Sequence, residues 1–313
     1  MKLNKPKFWD TKKSFISILL FPISLILIII IFIKRRFIKT LTFNIPIICV
    51  GNIYVGGTGK TPASILLAQE LKEIGKNPVI LKKYYSSHQD EHDLIKESHS
   101  KLILNENRVN GVRQAIKEGY NTVIMDDGFQ DCRIKKDLNI ICFNQRQLIG
   151  NGMIIPAGPL REGLDSLSLV EIVLINGKKD EYFEQKILTI NKKIKIFYSN
   201  YIPTNLDRFK DKKLIAIAGI GNPNNFFQLV EENGLKIEKK LIFPDHHTFN
   251  NSDIQEIKNK IAEKDYKIIT TEKDYHKMKK FDFKELDYLK VSLKINEKEK
   301  FLQAIKGLYA ESN

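Results

Sequence analysis

The run Val50-Gly51-Asn52-Ile53-Tyr54-Val55-Gly56-Gly57-Thr58-Gly59-Lys60-Thr61-Pro62 follows a short apolar segment at 45–50 and opens a helical pattern. Glycines let the backbone curl so that several N–H groups face one anion, and a helix N-terminus adds its partial positive charge. Lys60 can reach the outer phosphates of a nucleotide, and the Thr61 hydroxyl can ligate Mg2+. The run therefore predicts a nucleoside triphosphate site, with Gly51, Asn52, Gly56, Gly57, Thr58, Gly59, Lys60 and Thr61 as the binding residues. Its front is irregular. The strict phosphate-loop spacing wants a glycine five residues before Gly59, and Tyr54 stands there.

Outward from this loop, the chain alternates apolar strand-like runs with helical stretches. Residues 45–50, 78–81, 122–125, 138–143 and 170–175 read as buried strands, and 62–74 and 110–118 as helices closed by Gly75 and Gly119. Uninterrupted apolar strands between helices imply a parallel sheet covered on both faces. A second α/β unit is expected from residue 214, with strands at 214–219, 240–243 and 266–270 and helices at 223–232, 252–263 and 301–309. The polar stretch 198–212, which holds Pro203, reads as the linker. Gly219-Ile220-Gly221 lacks the third glycine of a dinucleotide fingerprint, so a tight strand-to-helix turn is the preferred reading.

Residues 14–33 carry no charge and are almost wholly apolar. Twenty helical residues span about 30 Å, the thickness of a bilayer core. The run exceeds a secretory signal core, and Lys34-Arg35-Arg36 follows it in place of a small-residue cleavage site. A retained membrane anchor is expected. Nine basic residues lie within 1–40 against Asp10 alone, which is +8 of the net +14. That concentration beside an apolar helix favours an anionic membrane surface over nucleic acid. Cys49, Cys132 and Cys142 show no paired spacing, so no disulfide framework is expected. The predicted division is 1–36 as anchor, 37–205 as the phosphate-loop domain and 206–313 as a smaller second domain.

Several polar clusters fall where strands end. Val123-Ile124-Met125-Asp126-Asp127 closes an apolar strand with two carboxylates, either a plain turn or a Mg2+ site; beside a phosphate loop the metal role is favoured. Residues 88–93 are dense in acids and histidines. His88 and His92 have helical spacing, but no third zinc ligand accompanies them, and a carboxylate acting as a base is the better reading. Phe243-Pro244-Asp245-His246-His247 offers a histidine at another strand end, either as an ordinary loop residue or as an aid to a base. Arg161, in the loop Pro156-Ala157-Gly158-Pro159-Leu160-Arg161-Glu162, can clamp a phosphate. Thr271-Glu272-Lys273-Asp274 is a structural cap or a site.

Together these segments resemble the tetraacyldisaccharide 4'-kinase family of lipid A biosynthesis over nearly the whole chain. The shared stretches are the apolar N-terminal segment, 50–62, Asp126-Asp127-Gly128-Phe129-Gln130, 156–162, 219–226, 243–246 and 271–274. The irregular front of the phosphate loop is itself a family trait. The resemblance implies two α/β/α domains with the site in the cleft between them. It implies transfer of the ATP γ-phosphoryl group to the 4'-hydroxyl of a tetraacylated disaccharide 1-phosphate at the inner membrane. The cysteine usage and the triphosphate loop predict that residues 34–313 face the cytosol, on the cytoplasmic face, and a monomer is expected.

It also implies roles: Lys60 on the phosphates, and Thr61, Asp127 and Asp126 on Mg2+. Asp90 would be the base, oriented by His246, with Arg161 and Glu162 beside the phosphates or metal. Two departures stand out: Lys82-Lys83-Tyr84-Tyr85-Ser86 replaces the usual Ser-Arg-Gly-Tyr-Gly, and Asp131 replaces a frequent histidine. The rival readings are a membrane-anchored regulatory ATPase and a non-catalytic nucleotide-binding scaffold. Val55 removes the signature lysine of partitioning ATPases, and Glu272-Lys273-Asp274 is too tight for a guanine box.

Overall fold

In a computed structural model, which describes residues 6–85, 89–245, 247–262 and 266–310, the chain opens with helix α1 (Phe15–Phe37) and then alternates strand and helix. The first stretch holds β1 (Ile47–Gly51), α2 (Lys60–Glu73), β2 (Pro78–Lys83), α3 (Gln89–Glu97), β3 (Leu102–Asn105), α4 (Arg108–Lys117), β4 (Thr122–Asp126), β5 (Leu138–Asn144), β6 (Ile172–Asn176), α5 (Glu181–Ile190) and β7 (Lys195–Pro203). Then follow β8 (Lys213–Ala218), α6 (Pro223–Glu232), β9 (Ile237–Ile242), α7 (Asn251–Ala262), β10 (Tyr266–Thr271), α8 (Glu272–Met278), β11 (Leu286–Leu289), β12 (Val291–Ile295) and α9 (Lys298–Ala310).

The larger sheet has the order β12-β7-β6-β5-β1-β4-β2-β3, and its pairings from β3 to β7 are parallel. All five residues of β1 are buried, as a central strand covered on both faces requires. Alternate side chains feed two separate cores. Cys49, Ile141, Val173 and Ile175 pack on one face with Phe143 and Phe183, whose rings meet edge to face at 5.0 Å. Ile47, Val79, Leu81, Val123 and Met125 pack on the other against Val112 and Ala115 of α4. The helix after the loop stops as expected: Gly75 takes a φ of +78°, and the N–H groups of Gly75 and Lys76 close on the carbonyls of Lys72 and Leu71.

The smaller sheet, β11-β10-β8-β9, is wholly parallel. Leu214, Ala216 and Ala218 face Phe226, Phe227 and Val230 of α6, and Ile215 and Ile217 face Ile254 and Ile257 of α7. The α/β class, the parallel phosphate-loop sheet and the second α/β/α unit all follow the sequence reading.

The boundaries between units do not. By contact, residues 85–97 group with 201–292, whereas 98–200 and 293–313 group with 5–84. A division by order along the chain, 37–205 then 206–313, misses both exchanges. The return has a packing cause: β12 adds to β7 at the edge of the larger sheet, and Phe301 of α9 stacks edge to face on Phe197 at 5.3 Å. The expected linker at 198–212 is also corrected, because residues through Pro203 are β7. Only part of β7 is buried, and its exposed positions make it look polar in sequence.

Helix α1 has a mean hydropathy of 3.2 and is the one described helix long and apolar enough to cross a membrane. Only a narrow stripe touches protein. Ser24 Oγ donates to the Ile154 carbonyl at 2.8 Å and accepts from the Ala157 N–H at 3.1 Å, Asn151 donates to Ser17 at 3.1 Å, and Arg35 pairs with Glu162. Spacings of seven and eleven residues keep Ser17, Ser24 and Arg35 on one face. Leu19, Ile26, Ile30 and Ile33 on the remaining surface are exposed.

The sequence cluster 271–274 is a cap. Thr271 Oγ1 accepts from the Asp274 N–H at 3.1 Å, and fully buried Asp274 accepts from the Thr271 hydroxyl at 2.9 Å and the Gly219 N–H at 2.7 Å. Asp274→Ala strands the Gly219 N–H and is expected to destabilise the smaller unit by about 1–3 kcal/mol. A lower urea midpoint by far-ultraviolet circular dichroism checks this; an unchanged midpoint shows that Gly219 finds another acceptor.

Candidate active site

The irregular front of the phosphate loop has a structural cause. Residues 53–55 run antiparallel to 159–161: the Val55 N–H donates to the Pro159 carbonyl at 2.9 Å, and the Arg161 N–H donates to the Ile53 carbonyl at 2.7 Å. Tyr54 bridges Leu160 and is fully buried in the core with Ile53 and Phe129. A glycine is thus not needed at 54, and the bend falls at Gly56, with a φ of +118°, and Gly59, with a φ of +89°, which caps α2. Asn52 sets the curl from inside. Its buried amide lies 2.6 Å from the Tyr54 carbonyl, 3.3 Å from that of Gly56 and 3.1 Å from Thr58 Oγ1. A Cβ built on Gly56 or Gly57 would meet nothing within 4 Å, so the mouth of the loop is open.

Sheet register brings the charges to this mouth. Val50 of β1 and Lys82 of β2 both lie opposite Asp126 of β4. Asp126 has no exposed surface; Lys82 Nζ reaches its carboxylate at 2.5 Å, the Thr61 hydroxyl at 3.0 Å and the Ser64 hydroxyl at 3.3 Å. The next residue turns away: Asp127 has a φ of +57° and donates its N–H to the Val50 carbonyl at 2.9 Å. Its carboxylate receives Arg161 at 2.9 Å and lies 3.8 Å from Lys60 Nζ, while Arg108 donates to its carbonyl at 2.6 Å. Burial pushes the Asp127 carboxyl up, but Lys60, Arg161 and Lys82 outweigh it and hold it at about 2. Three cations, Lys60, Lys82 and Arg161, therefore meet two carboxylates at the end of one sheet, with Arg108 beside them on the Asp127 carbonyl. The excess positive charge beside open glycines and a helix N-terminus suits a polyphosphate, and the Thr61, Asp126 and Asp127 oxygens are the hard donors that Mg2+ prefers.

A family model described as Tetraacyldisaccharide-1-P 4'-kinase matches residues 16–310. The chain belongs to the tetraacyldisaccharide 4'-kinase family. Membership makes it a kinase. The tetraacyldisaccharide 4'-kinase of Pelagibacter ubique strain HTCC1062 is 42% identical over 301 residues, covering 95% of both chains. That of Rickettsia bellii strain OSU 85-389 is 33% identical over 294 residues, covering 89% of this chain and 90% of its own. Among solved structures, the "apo" form of LpxK from Aquifex aeolicus in complex with ATP superposes with a TM-score of 0.73 over 93% of this chain and 99% of that one. At 24% identity the likeness speaks for the fold.

Other residues marked in sequence by the kinase resemblance fall variously. Gly51 lies tight under the 126–130 run, where a Cβ would sit 2.7 Å from Phe129 Cβ. Glu162 is buried against Arg35 of α1, and burial raises its pKa; it joins a metal set only by releasing that partner. Asp131 stands in an ion pair with Arg133 at 2.7 Å and with Arg108 at 3.6 Å. Burial raises its carboxyl, but the hydrogen bonds and charge of Arg133 and the charge of Arg108 bring it to about 2. Asp90 is in α3, within the unit that contains 201–292, and its side chain lies outside the described residues, as do His88 and His246. His92 is fully buried. Sequence reasoning missed Lys82, although the lysine-rich departure at 82–83 was its signal, and missed Arg108, whose partners come from a distant turn.

The lowered pKa of Asp127 means that its ionisation stabilises the fold fully above about pH 4 and that this contribution is lost as pH falls through about 2. Arg161→Met is expected to move the carboxyl from about 2 toward its ordinary 3.8. Carbon-13 titration of the side chain checks it; a carboxyl still titrating near 2 shows that Lys60 and Lys82 suffice.

Proposed function

We propose that this kinase transfers the γ-phosphoryl group of ATP to the 4'-hydroxyl of a tetraacyldisaccharide 1-phosphate, a lipid A precursor, at the cytoplasmic face of the inner membrane. The observation that carries the reading is the meeting of Lys60, Lys82, Arg108 and Arg161 around Asp126 and Asp127 at an open phosphate loop, in a chain of this family. Phosphoryl transfer needs positioning and charge stabilisation more than covalent chemistry, and such a set supplies both.

In this reading Lys60 and the backbone N–H groups of residues 56–61 hold the phosphates, and Arg161 clamps the transferring group. Thr61, Asp126 and Asp127 would hold Mg2+, which when bound neutralises charge on the phosphates. The 4'-hydroxyl gives its proton to Asp90, and His246 orients that carboxylate. A tetraacyl substrate does not leave the bilayer readily, so the site works where the lipid lies. The exposed apolar surface of α1 and the basic residues flanking it suit an anionic bilayer. The serine and arginine stripe that seats α1 on residues 151–162 supports a fixed spacing between bilayer and site. The acting form is a monomer, and nucleic acid has no part in it.

The decisive measurement is transfer of label from γ-labelled ATP to purified disaccharide 1-phosphate acceptor. Lys60→Ala is expected to abolish transfer. Asp90→Ala is expected to retain ATP binding and lose about 100-fold or more in kcat, the range for loss of a general base. Turnover of ATP that ignores the acceptor favours a membrane-anchored regulatory ATPase instead. Replacing Leu19, Ile26, Ile30 and Ile33 together by serine is expected to release the protein from anionic vesicles in a flotation assay while Ser24 and Arg35 keep their contacts. Continued flotation would place lipid binding on another surface.

A further inference from the structure

Lys273 lies in the first turn of α8, where the helix macrodipole favours anions. Its place there is compensated from outside the helix. Lys273 Nζ is 3.5 Å from Glu91 Oε1 and 3.9 Å from Asp245 Oδ1. Glu91 is the neighbour of Asp90, and Asp245 is the neighbour of His246. Glu91, Asp245 and Lys273 belong to the same unit.

We propose that Lys273 is a positioning residue for phosphoryl transfer: by bridging Glu91 and Asp245 it sets the spacing between the residue that follows Asp90 in the chain and the residue that precedes His246. The inference rests on the roles given above to Asp90 and His246.

The base on which Lys273 stands is rigid. Asp274, next to it, is locked to Thr271 and to the Gly219 N–H. Gly219 in turn is a tight neighbour of the 243–245 segment: a Cβ there would lie 3.4 Å from both Phe243 Cβ and the Pro244 carbonyl oxygen. The Phe243 N–H also donates to the Ala218 carbonyl at 2.9 Å. The end of β8, the start of α8 and the start of the 243–247 loop are thus one fixed corner. Helix α3 docks on this corner by its two ends, through Glu91 on Lys273 and through Glu97 on His276, whose Nε2 is 3.0 Å away. The first of these contacts also engages Asp245. Near-attack geometry tolerates displacements of less than about 1 Å before rates fall about 100-fold, so loss of the bridge is read in kcat rather than in nucleotide binding.

The test compares Lys273→Met, Lys273→Arg, His276→Gln and the paired Glu91→Gln with Asp245→Asn variant in the full-length protein. Transfer kinetics, ATP binding and thermal melting are measured for each. Lys273→Met is expected to lose about 10- to 100-fold in kcat with the KM for ATP within about twofold of wild type. Lys273→Arg is expected to recover most of that loss, and the paired variant to repeat it even should Lys273→Met fold poorly. In an Asp90→Ala background, Lys273→Met is expected to add no further loss. An unchanged kcat in Lys273→Met, an equal loss in His276→Gln, or a full multiplicative loss in the Asp90→Ala background would overturn the bridge. Near-normal turnover in Asp90→Ala alone would instead overturn the assignment of the base, and the two failures are told apart by which single variant is silent.

Discussion

Asp126 is a carboxylate with no exposed surface, and a charge so placed must find its partners inside the protein. It finds Lys82 from the neighbouring strand and two hydroxyls from the first turn of α2. The consequence is a joint between three elements. The acid fixes the end of β4, Lys82 ties it to β2, and Thr61 and Ser64 hold α2 at the angle at which its N-terminus points up from β1. Removing one member of such a buried pair typically costs about 3–5 kcal/mol, because the remaining charge is left without compensation. The loop that precedes α2 therefore inherits its position from a charge pair on strands it does not touch in sequence.

The same economy governs the loop's front. Asn52 binds the loop from beneath, while residues 159–161 bind it from the side. Arg161 is delivered to Asp127 by the strand-like pairing that also buries Tyr54. One segment thus serves as scaffold and as charge donor, and its far end, Glu162, grips Arg35 of α1. The apolar helix, the proline-rich loop and the phosphate loop form a continuous run of contacts.

Much of this was legible in the sequence because it is local. The glycine spacing, the buried strands β1, β2, β4, β5 and β8 and the cap of Gly75 each depend on a few neighbouring residues. What escaped depends on partners far along the chain. Tyr54 looks misplaced until Leu160 lies beside it. Lys82 looks like a surface lysine until the β2–β4 register sets it opposite Asp126. β7 and β12, the last two strands at one side of the larger sheet, alternate polar residues and so resemble a linker, and α3 reads as part of the first domain because it sits between two of that domain's strands. Thr271-Glu272-Lys273-Asp274 could be a cap or a site by spacing alone, and only the Gly219 contact fixed it as a cap.

The return of residues 293–313 to the larger unit bears on how the protein is made. Synthesis runs from the N-terminus, so seven strands of the eight-stranded sheet emerge before the whole of β8 to β11 and the eighth strand only afterwards. Until then β7 presents an unpaired edge, with its row of free N–H and C=O groups, and Phe197 waits for the ring of Phe301. The smaller unit, bracketed by these two halves, has its strands together while the larger one is still open. A nascent chain of this kind carries both an unpaired sheet margin and an apolar helix for the time needed to translate about 90 residues, several seconds at ordinary elongation rates. Assembly of the larger sheet is for that reason an event that follows translation of its last strand.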